Sequence, residues 1–280
     1  MGNKFFTVDD DFESIIHQHF KIFDDISQEK NGWTNFVYKV KVNGDTYYFR
    51  FPRNDFFSDA IKKEYSMSCF IKNKISFKTP DLQLFFDNNR PYSMHKEIEG
   101  ESLSKCYNDL TMKEKQILAD DVCIMLKDFE SIDLSRYLDY NFEPVSNFLD
   151  NLSYVSGNGY DINVHSDLKL LEKEHCVFTH GDFNPGNLIL KNHKLIAVID
   201  FAFAGISNEF VDISRIVGRC PTEFKPIFIS AYKKLVREIN NEKLNNIENL
   251  WNYVDNHYIE YIKKNHPSII LPTLVWLNFF

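Results

Sequence analysis

Three polar residues in one short stretch, residues 180–200, have the types and spacing needed to transfer a phosphoryl group. The stretch reads HGDFNPGNLILKNHKLIAVID and contains Asp182, Asn187 and Asp200. Transfer from a nucleotide to a hydroxyl requires a carboxylate to accept the hydroxyl proton and oxygen ligands for Mg²⁺ on the departing phosphates. We assign Asp182 to the first role, as the catalytic residue, and Asn187 and Asp200 to the metal.

The order of these residues distinguishes them from ordinary turn formers. Asp and Asn in loops rich in Gly and Pro usually serve as turn residues, and any one of the three alone would be interpreted that way. Here Asn187 follows Asp182 by five positions, and a predicted hairpin, residues 188–199, then leads to Asp200. Protein kinases have the same order and the same spacing from Asp to Asn. Gly rather than Arg follows His180, which excludes an ordinary protein kinase.

Length and composition indicate a well-packed globular protein of two lobes. The chain has 280 residues, is 44% hydrophobic and contains 26 Phe and 14 Tyr, which disfavours disorder. A kinase-like motif two-thirds along the chain predicts a nucleotide-binding lobe over residues 1–97 and a catalytic and acceptor-binding lobe over residues 98–280. The net charge of −8 and the pI of 5.6 argue against nucleic acid as a partner and are compatible with a cationic small-molecule acceptor.

Cysteine usage and hydropathy indicate a cytoplasmic protein that does not bind membranes. Five Cys are an odd number with no C-x-x-C pair, so neither a disulfide framework nor a zinc site is expected, and a reducing compartment is the default. The first ten residues lack the apolar run of a secretion signal. The most apolar segment, residues 269–280, is too short to span a bilayer and is expected to dock as a C-terminal helix or strand. We expect a monomer or a weak dimer.

In the predicted first lobe, a basic and an acidic residue could position nucleotide phosphates. The sequence on either side of Asn43-Gly44 alternates between apolar and polar residues, a strong signal for an antiparallel hairpin. On the returning strand, Arg50 points away from the apolar face. A helix is expected to start with Ser58 as N-cap and to carry Glu64. A basic strand residue paired with a helical Glu positions phosphates in kinases, and an ordinary surface ion pair is the alternative.

A second predicted hairpin ends at the connector between the lobes. A strand over residues 92–98 is expected to return from a turn rich in Asp and Asn. In a kinase-like fold, the backbone of such a connector forms hydrogen bonds with the adenine edge, and we assign Lys96, Glu97 and Ile98 to that role. The loop of residues 31–35 contains one Gly and is either a nucleotide-covering turn or an ordinary hairpin loop.

The predicted second lobe is mainly helical. Thr111 and Glu114 form a capping box ahead of an apolar stripe that is typical of a core helix. Residues 131–175 are less regular and are expected to form helices beside the catalytic loop, and two long helices are expected to close the chain. Residues 201–208 are expected to form a loop in the position of a kinase activation segment, too short to hold a protein substrate.

Four acids of this lobe are candidates for further roles. Asp212, at a predicted helix start, could brace the catalytic loop through hydrogen bonds to its backbone, or it could be an ordinary acid of a first helical turn. Glu238, Asp255 and Glu260 on the closing helices are candidates to bind a cationic acceptor, and solvated helix faces are the alternative.

These stretches resemble the aminoglycoside phosphotransferase and choline kinase superfamily, and within it the antibiotic-modifying enzymes. The similar segments are GWTNFVYKV, YYFRFPRN, PYSMHKEIEGESL, HGDFNPGNLIL and IDFAFAGISNEFVDISR. The resemblance implies an α+β, bilobal protein-kinase-like fold with an antiparallel-sheet N-lobe and a mainly helical C-lobe. It also implies ATP or GTP as donor, with Mg²⁺, and O-phosphorylation of a small alcohol.

Residue by residue, the resemblance places the catalytic Asp at Asp182, the metal ligands at Asn187 and Asp200, and the phosphate-gripping pair at Arg50 and Glu64. The chain departs from the family in having Arg50 where Lys is commoner. An aminoglycoside is the favoured acceptor. The alternatives are a kinase of another small alcohol, such as a macrolide, choline or homoserine, and a nucleotide-binding pseudoenzyme.

Overall fold

The computed structural model describes residues 5–29, 34–135 and 176–249. By its internal contacts, the chain divides into two units: Met1–Phe70 with Thr79–Glu99, and Ile71–Lys78 with Gly100–Phe280. An antiparallel sheet dominates the first unit and helices dominate the second, as the predicted α+β kinase-like fold requires. The assignment of nucleotide binding to residues 1–97 and of catalysis to residues 98–280 stays a prediction.

The sheet of the first unit is antiparallel throughout its described strands. They are β1 (Asp25–Glu29), β2 (Asn35–Val42), β3 (Asp45–Pro52), β4 (Gln83–Asp87) and β5 (Arg90–Lys96), in the spatial order β1-β2-β3-β5-β4. Two of its hairpins turn through left-handed residues: φ is +51° and +82° at Asn43 and Gly44, and +49° and +67° at Asn88 and Asn89. Such turns match the twist of the flanking strands. The hairpin predicted at Asn43-Gly44 is therefore confirmed.

Alternation along β3 separates a buried aromatic face from a polar one. Phe49 and Phe51 are fully buried, and Arg50 between them points to the opposite face. The helix α1 (Phe12–His17) packs against the buried face. The core cluster consists of Phe6, Phe12, Ile15, Ile16, Phe36, Val40, Phe49, Phe51, Tyr92 and Met94. Because tilted and edge-on ring contacts fill this cluster, the strand that carries Arg50 is held firmly in place.

The helix that carries Glu64, α2 (Asp55–Ile71), begins earlier than predicted. Its first turn is capped by Asn54, whose Oδ1 accepts a hydrogen bond from the Phe57 N–H at 2.9 Å. The prediction of Ser58 as N-cap is wrong, because Ser58 lies inside the first turn and its hydroxyl donates to the Asn54 carbonyl at 3.1 Å. The correction moves the helix start by four residues and leaves Glu64 on the helix.

The described part of the second unit is built mainly from helices. They are α3 (Leu103–Cys106), α4 (Met112–Ser131), α5 (Phe210–Arg219) and α6 (Phe224–Leu235), and residues 241–249 are also helical. The capping box predicted for α4 is confirmed, since the Glu114 N–H donates to the Thr111 hydroxyl and the Thr111 N–H donates to the Glu114 carboxylate. The predicted apolar stripe of α4 is buried at Leu118, Val122, Met125 and Phe129.

Short strands of the second unit position the predicted catalytic loop. They are β6 (Glu101–Ser102), β7 (Cys176–Thr179), β8 (Leu188–Lys191), β9 (Lys194–Val198) and β10 (Gly205–Asn208). The predicted hairpin is confirmed: β8 and β9 pair antiparallel, and the chain turns through Asn192 and His193 at φ +51° and +60°. The catalytic loop therefore starts at the end of β7 and finishes at the start of β8.

The segment after Asp200 is more regular than predicted. Phe201–Phe203 form a 3₁₀ turn, and β10 pairs antiparallel with β7. The prediction of a loop is wrong for residues 205–208, because their backbone continues the sheet of the strand that leads into the catalytic loop. The Ser207 and Asn208 side chains of β10 are buried although they are polar, so the sequence lacks the apolar alternation that marks most strands.

Several predicted features lie outside the described residues. These are the loop around residues 31–33, the segment 136–175, the acids Asp255 and Glu260, and the apolar residues 269–280. Glu238, the remaining acceptor candidate, is 75% exposed and pairs with Lys233 at 2.7 Å, as a solvated surface side chain does. Among the helices that the structure describes, none is long and apolar enough to cross a membrane.

Candidate active site

The predicted catalytic residue, Asp182, lies on the loop that connects β7 to β8. The side chain of Asn184 shapes this loop: it accepts a hydrogen bond from the Gly186 N–H at 2.8 Å and donates to the Asp182 carbonyl at 3.1 Å. Pro185–Asn187 then form a 3₁₀ turn. Local hydrogen bonds of this kind hold a loop in one conformation, so the backbone beneath the Asp182 carboxylate is well defined.

Asn187 contacts Asp182 directly. Its Nδ2 donates to the Asp182 backbone carbonyl at 2.8 Å and to the carboxylate Oδ2 at 3.2 Å. The amide nitrogen of Asn187 is therefore used in hydrogen bonds within the loop. The amide oxygen of Asn187 accepts no hydrogen bond from the residues that the structure describes, and it is therefore the atom of this side chain that can face a metal ion.

After the β8–β9 hairpin, the residue that precedes Asp200 is hydrogen-bonded to Asn187. The Ile199 N–H donates to the Asn187 carbonyl at 3.0 Å. Asp200 itself has a left-handed backbone, with φ +67° and ψ +67°. Asp adopts this conformation more readily than most residues other than Gly, and such conformations cluster at functional sites. The structure thus brings Asp182, Asn187 and Asp200 into one region of the second unit.

His180, at the start of the loop, is a buried, neutral side chain that connects the residue before Asp200 to the backbone of Asp182. Its Nε2 donates to the Ile199 carbonyl at 2.9 Å, and its Nδ1 accepts a hydrogen bond from the Asp182 N–H at 3.3 Å. These two bonds require the neutral tautomer with the proton on Nε2. Burial lowers the pKa of His180, which favours the same neutral form. Sequence reasoning gave this residue no role beyond its place in the motif.

Asp212 braces the catalytic loop from α5, as one of the two interpretations of the sequence predicted. Its carboxylate accepts hydrogen bonds from the His180 N–H at 2.6 Å and the Gly181 N–H at 2.9 Å. Asp212 is 1% exposed. Burial raises its pKa from the ordinary value of 3.8 to about 7, and the two N–H donors and the Arg215 guanidinium oppose that rise. The carboxylate is thus the fixed point that holds the loop against α5.

Gly181 is required by the backbone at the start of the loop. Its φ is +77°, and a Cβ added there would lie 2.1 Å from the carbonyl oxygen of Phe203. The 3₁₀ turn after Asp200 therefore packs against the loop at a distance that only glycine allows. This close approach fixes the segment that follows Asp200 relative to the segment that carries Asp182.

Arg215 is a site residue that sequence reasoning missed. It lies on α5, it is 8% exposed, and its Nη2 donates to the Asp182 carboxylate Oδ1 at 3.2 Å. Burial lowers the pKa of its guanidinium, and Asp182 and Asp212 oppose that effect. The available signal was its position three residues after Asp212, which places both side chains on the same side of a helix. Nothing local in the sequence indicates that its partner is Asp182.

In the first unit, the predicted pair of Arg50 and Glu64 is formed. Nη1 of Arg50 lies 2.7 Å from both carboxylate oxygens of Glu64. The side chain of Glu64 is 1% exposed and that of Arg50 is 15% exposed, so the pair is not an ordinary surface ion pair. Removal of one member of a buried pair typically costs about 3–5 kcal/mol. The two side chains therefore hold each other in place on β3 and α2.

The side chains of Lys96 and Glu97 bind other side chains of the first unit. Lys96 is the last residue of β5, and its Nζ pairs with Asp45 at 2.7 Å. The Glu97 carboxylate accepts hydrogen bonds from Lys39 Nζ at 2.9 Å and from Tyr48 Oη at 3.0 Å. These contacts tie the predicted connector to β2 and β3. They leave the backbone, rather than the side chains, as the group that could contact a nucleotide base.

The backbone N–H groups of Glu97 and Ile98 differ in their hydrogen bonds. The Glu97 N–H donates to the Thr46 carbonyl at 2.8 Å and continues the pairing with β3. The Ile98 N–H makes no hydrogen bond within the part of the chain that the structure describes. The Ile98 N–H is therefore able to meet a ligand, and the assignment of Lys96, Glu97 and Ile98 to the nucleotide stays a prediction.

These elements define the class of the protein. A loop with Asp and Asn five residues apart, a hairpin that ends in a second Asp, and a separate sheet unit with a buried Arg–Glu pair are the parts of a protein-kinase-like phosphotransferase. The chain matches the phosphotransferase enzyme family, APH, over residues 25–238 and belongs to that family. It is accordingly a small-molecule phosphotransferase that acts on hydroxyl groups.

Individual relatives agree with this classification. An aminoglycoside 3'-phosphotransferase of Acinetobacter baumannii is 25% identical over 205 residues, which are 67% of this chain and 77% of that enzyme. A second, of Escherichia coli, is 38% identical over 74 residues, 26% of each chain.

Solved structures show the same fold at lower identity. The GDP and kanamycin complex of APH(2")-IIia has a TM-score of 0.73 at 17% identity, covering 92% of this chain and 94% of that one. The macrolide 2'-phosphotransferase MphH of Brachybacterium faecium, an apoenzyme, has a TM-score of 0.65 at 12% identity, covering 94% and 97%.

The substitution Gly181→Ala is expected to destabilise the second unit and to lower activity. The left-handed backbone alone costs about 1–2 kcal/mol for a residue with a Cβ, and the contact with the Phe203 carbonyl adds to that cost. Gly44→Ala is the matched control, because φ is +82° there and no atom lies within 4 Å of the added Cβ. Urea unfolding and phosphotransfer assays on both variants measure the difference. Equal losses in the two would contradict the proposed close approach.

The substitution Asp212→Asn is expected to cost about 1–3 kcal/mol, because the amide cannot accept both backbone N–H groups and leaves one of them unsatisfied. The raised pKa of Asp212 means that the stability it contributes is fully present below pH 3.8 and is lost as the pH rises through about 7. The difference in free energy of unfolding between wild type and variant should therefore shrink over that interval and stay constant above it. A difference that is flat from pH 4 to pH 8 would show a carboxylate ionised throughout.

Proposed function

We propose that this protein transfers the γ-phosphate of ATP or GTP to a hydroxyl of an aminoglycoside. The observation that carries the proposal is the contact of Asp182 with Asn187 on a loop braced by Asp212. It supplies a carboxylate and an amide oxygen next to each other on a rigid backbone, which are the groups that phosphoryl transfer requires.

In the proposed reaction, Asp182 binds and orients the acceptor hydroxyl and takes its proton. The hydroxyl oxygen forms a bond to the γ-phosphorus while the bond from that phosphorus to the β,γ-bridging oxygen breaks. The nucleoside diphosphate leaves with the electron pair of the broken bond. Because the transition state is loose, most of the rate enhancement comes from holding the reacting groups in line.

Asn187 and Asp200 have the chemistry to hold Mg²⁺. Both offer hard oxygen ligands, and the hydrogen bonds of the Asn187 Nδ2 to Asp182 assign its other amide atom, Oδ1, to the metal side. Bound there with the nucleotide, Mg²⁺ would neutralise negative charge on the phosphates. The contribution of the chain is to hold these two oxygens at the ends of one hairpin, where the Ile199 N–H bond to Asn187 keeps their spacing.

The first unit is proposed to bind the nucleotide. Arg50, held by Glu64, would bind phosphate oxygens, and the guanidinium suits this role as well as the commoner Lys. The Ile98 backbone would bind the base edge. Related structures are complexes with nucleotides, GDP with APH(2")-IIia and ATP with APH(2")-IIa, which supports a purine nucleotide donor without choosing between the two bases.

An aminoglycoside is the favoured acceptor. A relative that covers 67% of this chain is an aminoglycoside 3'-phosphotransferase, and a chain of net charge −8 suits a polycationic acceptor. A macrolide is the second candidate, supported by the fold shared with MphH. All five cysteines are free thiols, which supports a reducing, cytoplasmic location. We further propose a monomer or weak dimer with no nucleic-acid or membrane partner.

The proposed activity is tested by incubating the protein with Mg-ATP or Mg-GTP and kanamycin, gentamicin, a macrolide, choline or homoserine, and by measuring phosphorylated product. Wild-type protein is expected to phosphorylate an aminoglycoside. The Asp182→Ala variant should lose about 10²- to 10⁴-fold in kcat and keep its affinity for the Mg-nucleotide. Asp59→Ala, which removes a 77% exposed acid, is the control. Near-normal turnover by Asp182→Ala would disprove the assignment.

The metal assignment is tested by Asp200→Asn. Loss of a charged oxygen ligand is expected to weaken binding of Mg-nucleotide by about tenfold or more. Isothermal titration calorimetry with and without Mg²⁺ separates this effect from damage to the fold. In EDTA, wild type and variant should bind free nucleotide equally, since the metal no longer contributes. A variant that binds Mg-nucleotide as wild type does would remove Asp200 from the metal site.

A further inference from the structure

Helix α5 contacts both the backbone and the side chain of the segment that carries the catalytic carboxylate. Asp212 in the first turn of α5 binds the backbone N–H groups of His180 and Gly181, and Arg215 in the next turn binds the side chain of Asp182. The backbone contact fixes where the loop lies. The contact from Arg215 acts on the carboxylate itself.

The two oxygens of the Asp182 carboxylate have different donors. Oδ1 accepts from Arg215 Nη2 at 3.2 Å, and Oδ2 accepts from Asn187 Nδ2 at 3.2 Å. A carboxylate with a single donor can rotate about its terminal torsion, which is broad for Asp. Donors of two different kinds on the two oxygens select one orientation. The remaining lone pairs of the carboxylate then point in a defined direction.

The charge of Arg215 is balanced by residues of the site. A buried guanidinium keeps its charge and requires a partner. Asp212 is close enough to interact electrostatically, and Arg215 also donates a hydrogen bond to the Asp182 carboxylate. The side chains of Arg215 and Asp182 are 10% and 19% exposed, so solvent weakens the contact little. A guanidinium that served only to neutralise Asp212 would not need a hydrogen bond to Asp182.

We propose that Arg215 is a positioning residue for phosphoryl transfer: it fixes the orientation of the Asp182 carboxylate so that the acceptor hydroxyl is held in line with the γ-phosphate. The inference rests on the proposed function, because it requires Asp182 to be the residue that binds the acceptor hydroxyl. Arg215 itself touches neither substrate. Its loss therefore lowers kcat and leaves the KM values for nucleotide and acceptor nearly unchanged.

The test compares Arg215→Met with Arg219→Met in the full-length protein. Arg219 lies one turn further along α5, is partly buried and interacts electrostatically with Asp182, but no hydrogen bond joins these two side chains. Arg215→Met is expected to lower kcat for the best aminoglycoside by about 10²-fold, the effect of misplacing a reacting group by about 1 Å. Its KM values should stay near those of wild type. Arg219→Met should keep a kcat close to wild type, and equal losses in both variants would overturn the proposal.

A double-mutant cycle separates positioning from a general structural effect. If Arg215 acts through Asp182, adding Arg215→Met to Asp182→Ala should not lower the residual rate further. A second loss of the same size would show that Arg215 supports the fold rather than the carboxylate, and would overturn the proposal. Should Arg215→Met fail to fold, Arg215→Lys gives the same cycle, with a partial loss of kcat because a single ammonium replaces the planar fork.

A crystal structure of the Arg215→Met variant provides a readout that does not depend on activity. The Asp182 carboxylate is expected to rotate from its wild-type orientation while the Asp212 contacts to the loop remain. An unchanged carboxylate would overturn the inference even if the enzyme were inactive. Failure of the proposed function is a different result: wild-type protein would then transfer phosphate to none of the acceptors, whatever the orientation of Asp182.

Discussion

The buried carboxylate of Asp212 is the interaction on which the rest of the site depends. A carboxylate removed from water is costly unless several donors satisfy it, and here two consecutive backbone N–H groups do so. Those N–H groups, of His180 and Gly181, lie where β7 ends and have no strand partner. The left-handed backbone of Gly181 helps consecutive N–H groups to share one acceptor, as in other backbone anion sites. The carboxylate thus satisfies the two N–H groups and the N–H groups satisfy the carboxylate. This contact fixes the loop that carries Asp182.

The ionisable groups around this contact offset one another in part. Asp182 and Asp212 are acids, Arg215 is a cation, and the burial of His180 keeps its ring neutral. Burial alone would disfavour each charged member, and each opposite charge offsets part of that cost. Removing one member leaves the others uncompensated, so stability and catalytic geometry are coupled in this set. The Arg50–Glu64 pair of the first unit follows the same principle independently, with a carboxylate that is almost fully buried against one guanidinium.

The parts of the fold and site that the sequence predicted are those with local signals. Asn43-Gly44 specifies its hairpin because two left-handed residues are required there, and Thr111 with Glu114 specifies a helix start by reciprocal hydrogen bonds. The parts that it did not predict depend on distant partners. Arg215 has no local signature, since its partner is 33 residues away in sequence. Strand β10 is recognisable only from its pairing with β7, because its buried side chains include polar ones. The N-cap of α2 was predicted at Ser58 and is Asn54; both residue types cap helices well, so residue type alone did not locate the start of the helix.

A site of this design suits a reaction in which geometry matters more than reactivity. In a loose transition state the protein has little covalent chemistry to perform, and the rate depends on how well the hydroxyl, the phosphorus and the leaving oxygen are aligned. The loop meets that requirement with short-range restraints: a side-chain cap at Asn184, a glycine contact at Gly181 and two donors on the Asp182 carboxylate. None of these restraints involves an acceptor. The restraints therefore fix the loop without selecting an acceptor, and the fold is shared at 17% identity with one phosphotransferase and at 12% with another.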